Sequence, residues 1–111
     1  MQLSKYMQGD VTVIALDGRL DSGTAARVQQ DLDALVPEGA PVLLDLSRVS
    51  YMSSAGLRVL LLVYRRAGDS GARIALAAVP RDAYDIMAAT GFLDFFTVAD
   101  SVADGVTALT A

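Results

Sequence analysis

The sequence contains no cysteine, no histidine and no tryptophan. Without cysteine there is no disulfide framework, no thiolate nucleophile and no cysteine-based zinc site, which suits a cytoplasmic protein. Without histidine the usual general base of a serine or cysteine nucleophile is absent, and so is the commonest metal ligand. No metal site and no cofactor are expected. Basic charge is also scarce: nine Lys and Arg stand against thirteen Asp and Glu, for a net charge of −4. A nucleic-acid surface would need a basic face, so nucleic acid is not an expected partner. The most apolar run, Val59 to Tyr64, is far short of the roughly 20 residues needed to cross a bilayer, and Met1 to Asp10 lacks a signal-peptide core. Direct membrane insertion is therefore not expected.

Apolar residues are plentiful, at 53% against 20% charged, the composition of a chain that buries a core. The 111 residues fit one domain, 1–111, with no linker, repeat or low-complexity tract. Hydrophobic patterning alternates strands with helices. Val11 to Leu16 is rich in β-branched residues, and Gly9-Asp10 before it is a turn signal, which makes Leu3 to Gln8 its hairpin partner. Asp17-Gly18 is expected to end that strand, and Asp21 or Ser22 to cap a helix with Ala25, Val28, Leu32 and Leu35 on one stripe. Val42 to Leu46 reads as a buried strand, Ser47 to Ser53 as a loop. A helix from Ser54 to about Ala67 has Leu57, Leu60, Leu61 and Tyr64 on one face. Ile74 to Val79 is a further strand. A third helix opens at Pro80 or Asp82, turns Ala83, Ile86 and Met87 inward, and stops at Gly91. Phe95 to Val98 is the last strand, and Asp100 or Ser101 caps a final helix to about Leu109. The fold class is α/β: a mixed, mostly parallel sheet of about five strands with about four helices mainly on one face.

The informative stretch runs from Asp45 to Leu61: a buried strand, a short connection, then two serines opening an apolar helix. Ligands and partners commonly meet open α/β sheets beyond the carboxyl ends of the strands. On spacing alone Ser53-Ser54 is an ordinary helix cap, and Asp21-Ser22 an ordinary loop. Asp45 reads as bonding the backbone of its own loop; Tyr51 and Met52 read as packing beneath it. Serine hydrolase chemistry is excluded: Ser54 lies in Met52-Ser53-Ser54-Ala55-Gly56, not in G-x-S-x-G, and there is no histidine. No Walker lysine and no G-x-G-x-x-G is present, and no acid–base pair can be assembled. An enzyme is not expected.

The segment from Asp45 to Leu61 resembles the core motif of the STAS domain family, the anti-sigma-factor antagonists. Val11 to Asp21 resembles that family's strand and Gly-x-Leu-Asp loop, and Thr90 to Val98 the segment before its last strand. The resemblance implies a STAS-like fold and a phosphorylation-controlled protein-binding switch. Its partner would be a serine protein kinase that is itself the anti-sigma factor, and a cognate phosphatase would reset it. The phosphoacceptor position falls on Ser54. The family's Asp before it is replaced by Ser53, which leaves the serine hydroxyl in place but alters its surroundings. Ser53 is expected to cap the helix. Gly56 is expected to let a partner's backbone approach closely. Asp21, Ser22, Ser53, Ala55, Gly56, Arg58 and Leu62 are the expected partner-binding residues; Leu62 reads either as an isolated surface leucine or as an apolar centre rimmed by Arg58, Arg65 and Arg66. The alternative that the resemblance leaves open is a STAS subunit of a membrane transport ATPase complex, docking with no phosphate cycle.

Overall fold

The computed structural model describes residues 1–111. Strands β1 (Gln2–Gln8) and β2 (Val11–Leu20) form an antiparallel hairpin, closed by Gly9 at φ 59°. Strands β3 (Val42–Met52), β4 (Ile74–Ala77) and β5 (Thr97–Ala99) follow in parallel, giving one sheet in the order β1-β2-β3-β4-β5. The crossovers are helices α1 (Ala25–Leu35), α2 (Ser54–Asp69) and α3 (Arg81–Thr90), and α4 (Val102–Thr110) ends the chain. The mixed sheet and its four helices are the α/β architecture expected from the patterning.

Alternation along the strands divides the core in two. Ile14, Leu16, Leu44, Leu46 and Leu76 point to the face covered by α1, α2 and α3. Val11, Val13, Leu43, Ala75 and Ala77 point to the other face, which α4 covers with Leu109, Val102 and Val106. A β-carbon on Gly105 would stand 2.6 Å from the Leu43 side chain, so glycine lets α4 lie close on the sheet. Arg73 holds the far end of α4, donating to the carbonyl oxygens of Leu109 at 3.1 Å and Ala108 at 3.2 Å, where a cation complements a helix C-terminus.

Several boundaries differ from the sequence expectation. β2 does not stop at Asp17-Gly18. Gly18, at φ 127°, carries the chain through an irregular pairing with β3 and the strand continues to Leu20. Its partner β3 likewise runs to Met52, so Ser47 to Met52 is strand rather than loop. A polar stretch on an extended strand lowers the alternation that marks a strand in sequence. β4 ends at Ala77 rather than Val79, because Ala78 adopts a left-handed φ of 55°, which breaks an extended ladder. Gly91 at φ 81° ends α3, and a short 3-10 turn, Phe92–Phe95, precedes β5. That turn separates the two phenylalanines: Phe96 enters the core and Phe95 is exposed. Ile86, expected to face inward, is exposed, and only Ala83 and Met87 of α3 are buried. On α2 the buried face is broader than the expected stripe and includes Val59 and Val63, while Leu61 and Tyr64 lie at its margin.

Candidate functional site

The carboxyl ends of β2 and β3 lie side by side, with Leu20 paired to Met52. From there the two chains diverge, one into the Asp21 turn and the other into α2. The Ser53 N–H donates to the Leu20 carbonyl oxygen at 3.0 Å, which ties the start of α2 to the end of β2. Ser54 is the first residue of α2 and is exposed. The first bond inside the helix runs from the Leu57 N–H to the Ser53 carbonyl oxygen. The N–H groups of Ser54, Ala55 and Gly56 therefore precede the α-helical ladder. No acidic residue lies in this first turn. Ser54 is thus an exposed residue at a helix end that carries partial positive charge and no neighbouring carboxylate on its own turn.

Ser53 occupies the N-cap position with an extended ψ of 177°, as a cap residue should. Its hydroxyl nevertheless makes no capping bond, and the oxygen is buried with no hydrogen-bond partner. The expectation of a side-chain cap at Ser53 is therefore corrected: the β2 carbonyl fixes the backbone here, and the side chain makes no bond to the helix N–H groups. α1 is corrected in the same way. Its N-cap is Thr24, not Asp21 or Ser22, and the Thr24 hydroxyl donates to the Arg19 carbonyl instead of capping.

Gly56 is buried, and a β-carbon there would lie 2.6 Å from the Leu20 carbonyl oxygen and 2.9 Å from the Met52 side chain. The close approach that Gly56 permits is to the chain's own β2, which corrects the expectation that it serves a partner's backbone. Ala55 is half-buried beside it, and Arg58 and Leu62 are exposed one and two turns further along α2. Leu62 is 40% exposed. Arg66, on the rim of that patch, reaches Asp33 of α1 at 3.4 Å.

Ser22 is exposed at the tip of the loop after β2, but Asp21 is occupied with its own turn. One carboxylate oxygen accepts from the Gly23 N–H at 2.9 Å, and the other accepts from Arg19 Nε at 3.2 Å. The Arg19 hydrogen bond is the largest influence on the Asp21 carboxyl and holds it below its ordinary value, with the Gly23 and Thr24 N–H groups acting in the same sense. The Arg19 guanidinium also lies 4.6 Å from the centre of the Tyr51 ring, within cation–π range. Tyr51 is exposed rather than packed beneath the loop. The Arg19–Tyr51 contact joins β2 to β3 where the two residues face each other in register. Patterning did not reveal it, because the extension of both strands was itself hidden. Asp45 accepts from the Ser47 N–H at 3.0 Å, but both residues lie within β3, so the bond is made along a strand and not in the expected loop.

A cleft of about 450 Å³ opens beside Ser54, between the end of β3 and the start of α3, with Tyr51, Ser53, Asp82 and Ile86 among its walls. No cluster of side chains suited to a metal ion is present, and no helix is long and apolar enough to cross a membrane.

Comparison with known proteins agrees with this arrangement. The STAS domain family model matches residues 2–105. The chain is 33% identical over 102 residues to BtrV of Bordetella bronchiseptica, a candidate anti-sigma factor antagonist by its description, covering 91% of this chain and 88% of that protein. An anti-sigma factor antagonist from Mycobacterium paratuberculosis superposes with a TM-score of 0.87 at 23% identity, over 99% of this chain and 94% of that one. The unphosphorylated form of the anti-sigma factor antagonist SpoIIAA superposes with a TM-score of 0.68 at 17% identity, over 96% of this chain and 94% of that one. The two structural likenesses show the shared fold, while the family model and the BtrV identity span nearly the whole sequence. On that ground the chain belongs to the STAS domain family.

Proposed function

We propose that the chain is an anti-sigma factor antagonist that works as a protein-binding switch. Unphosphorylated, it docks on an anti-sigma factor of the serine protein kinase type; phosphorylated at Ser54, it is released. The observation that carries this reading is an exposed serine, Ser54, at the first residue of α2, in a chain that shares 33% identity with BtrV. The kinase supplies the chemistry. The γ-phosphoryl group of ATP passes to Ser54 Oγ, ADP leaves, and the hydroxyl proton goes to a base of the kinase. A phosphatase returns the serine by hydrolysis. This chain contributes only the acceptor, which is why it needs no base and no cofactor of its own.

Two energies decide how such a switch acts. Phosphate adds about −1.5 to −2 charges. At a helix N-terminus that charge is favourable by about 0.3–2 kcal/mol. The same charge pressed into a docked interface with no counter-ion costs several kcal/mol. The second effect is larger, so phosphorylation acts on docking and leaves the fold intact. The docking surface then comprises Ser54, Ser22 and the exposed stripe of Arg58 and Leu62, framed by the rigid Asp21 turn. The transport-complex reading is not favoured, because the relative with 33% identity over 102 residues is described as a candidate antagonist.

The test is binding of the purified kinase partner to wild type, Ser54→Ala and Ser54→Asp, with mass spectrometry of the Ser54 peptide from cells. Ser54→Ala should bind constitutively and Ser54→Asp poorly. Equal binding by all three, or no phosphate on Ser54 in cells where the partner is active, overturns the reading.

A further inference from the structure

Apart from Lys5, the basic residues are all arginines, and most of them are engaged. Arg19, Arg27, Arg48, Arg66 and Arg81 each reach an aspartate. Arg73 binds the carbonyls that end α4. Among the arginines, only the side chains of Arg58 and Arg65 form no ion pair and donate no hydrogen bond within the chain. Both lie on α2 and both are exposed.

Arg58 follows Ser54 by four residues in the same helix. Side chains at this spacing are neighbours, with β-carbons about 5–6 Å apart, and a negative group at the N-terminal member is the favourable order. The neighbours of Arg58 at three and four residues on either side are Ala55, Ser54, Leu61 and Leu62. None carries charge until Ser54 does. We propose that Arg58 is an intramolecular phosphate clamp: once Ser54 is phosphorylated, the guanidinium folds back along α2 and binds the phosphate oxygens. The inference rests on Ser54 as the phosphoacceptor and adds to it a second consequence of phosphorylation. The modification introduces negative charge, and it also withdraws from the docking surface the cation beside the site that has no ion-pair partner of its own. A partner carboxylate that pairs with Arg58 in the docked state loses that pair when the phosphate takes it.

The other charged and titratable groups around the site are accounted for. Asp82 lines the cleft beside Ser54, as does the Tyr51 phenol. Arg19 is held by Asp21 and stacked on Tyr51. Asp82 opposes the phosphate charge, but it does so equally in every variant of α2, so a comparison between variants isolates Arg58.

The experiment uses the full chain with phosphoserine installed genetically at position 54, read by 31P NMR titration. The second ionisation of the phosphate should lie lower in wild type than in Arg58→Gln, by roughly half a pKa unit. Arg58→Lys should retain part of the shift as a point charge, without the bidentate fork. Arg65→Gln is the control. Arg65 lies on nearly the same face of α2 but about 16 Å along the axis from Ser54, so its loss should leave the titration unchanged. Equal pKa values in wild type and Arg58→Gln overturn the clamp, and so does a shift of the same size on removing Arg65. Because the phosphate is installed without a kinase, a failed clamp is distinguishable from a failed switch. The switch is judged by phosphate on the native Ser54 in cells, the clamp by the titration.

Discussion

The carbonyl oxygen of Leu20 lies 2.6 Å from the point where a β-carbon on Gly56 would stand. Glycine is therefore required at the third position of α2 by the chain's own backbone. Gly56→Ala carries opposing effects. Alanine is about 1 kcal/mol better than glycine in a helix, but forcing a methyl group into a packed contact costs about 1–3 kcal/mol, and more where the opposing atom is backbone that cannot rotate away. The clash should win, with a net loss of about 1–2 kcal/mol read as a lower denaturation midpoint at unchanged slope. A stabilised Gly56→Ala would show that the α2 start is not seated on β2 as described.

Two serines at helix N-caps should respond differently to the same substitution. The Ser101 hydroxyl accepts from the Asp104 N–H at 3.1 Å, a genuine cap, and Ser101→Ala should cost about 1 kcal/mol. The Ser53 hydroxyl is buried with no partner, so Ser53→Ala removes an unsatisfied group and loses no bond. It should leave stability within about 0.5 kcal/mol of wild type or raise it. Urea denaturation of the two variants side by side checks this, and a larger loss at Ser53 than at Ser101 would contradict it.

Asp21 should shape the acid limb of stability. Its carboxyl titrates below the ordinary 3.8 in the folded chain, chiefly through Arg19. A group whose folded pKa is depressed contributes stability above its unfolded pKa and loses that contribution as pH falls through the folded value. The melting advantage of wild type over Asp21→Asn should therefore be full at about pH 6 and shrink progressively below about pH 4. An advantage that grows as the solution is acidified would reverse the assigned sign.

Leu62 separates docking from folding. It is 40% exposed on α2, so Leu62→Asp should leave the melting temperature within a few degrees of wild type. Placed at the centre of an arginine-rimmed contact, the substitution should weaken kinase binding at least about tenfold, or 1.4 kcal/mol. Unchanged affinity in titration calorimetry removes Leu62 from the interface.

The sequence was most legible where the periodicity was strong. Val28 and Leu32 of α1, Leu57 and Leu60 of α2, and the apolar runs of β3 and β4 all lie in the core as their spacing implied. It was least legible at the ends of β2 and β3. There Gly18 and an irregular register let polar residues such as Asp17, Arg19 and Ser50 remain in strand, and turn-like composition concealed extended backbone. The position of Ser54 followed from the motif, but the packing around it did not. A glycine that faces its own neighbour and one that faces a partner have the same letter, and a capping serine and an orphaned one likewise. Only the distance to Leu20 distinguishes the first pair, and only the missing bond the second.

The amide of Ser53 is pinned to the strand beside it, and this has a bearing on how the neighbouring hydroxyl is read. A kinase that acts on a loose loop draws an extended peptide into its own groove. In the switch proposed above, Ser54 is an acceptor on a solid corner, and pulling it out would strip α2 from the sheet. Such a switch therefore calls for recognition of surface against surface, in which a short peptide copied from this stretch would present the right letters in the wrong shape.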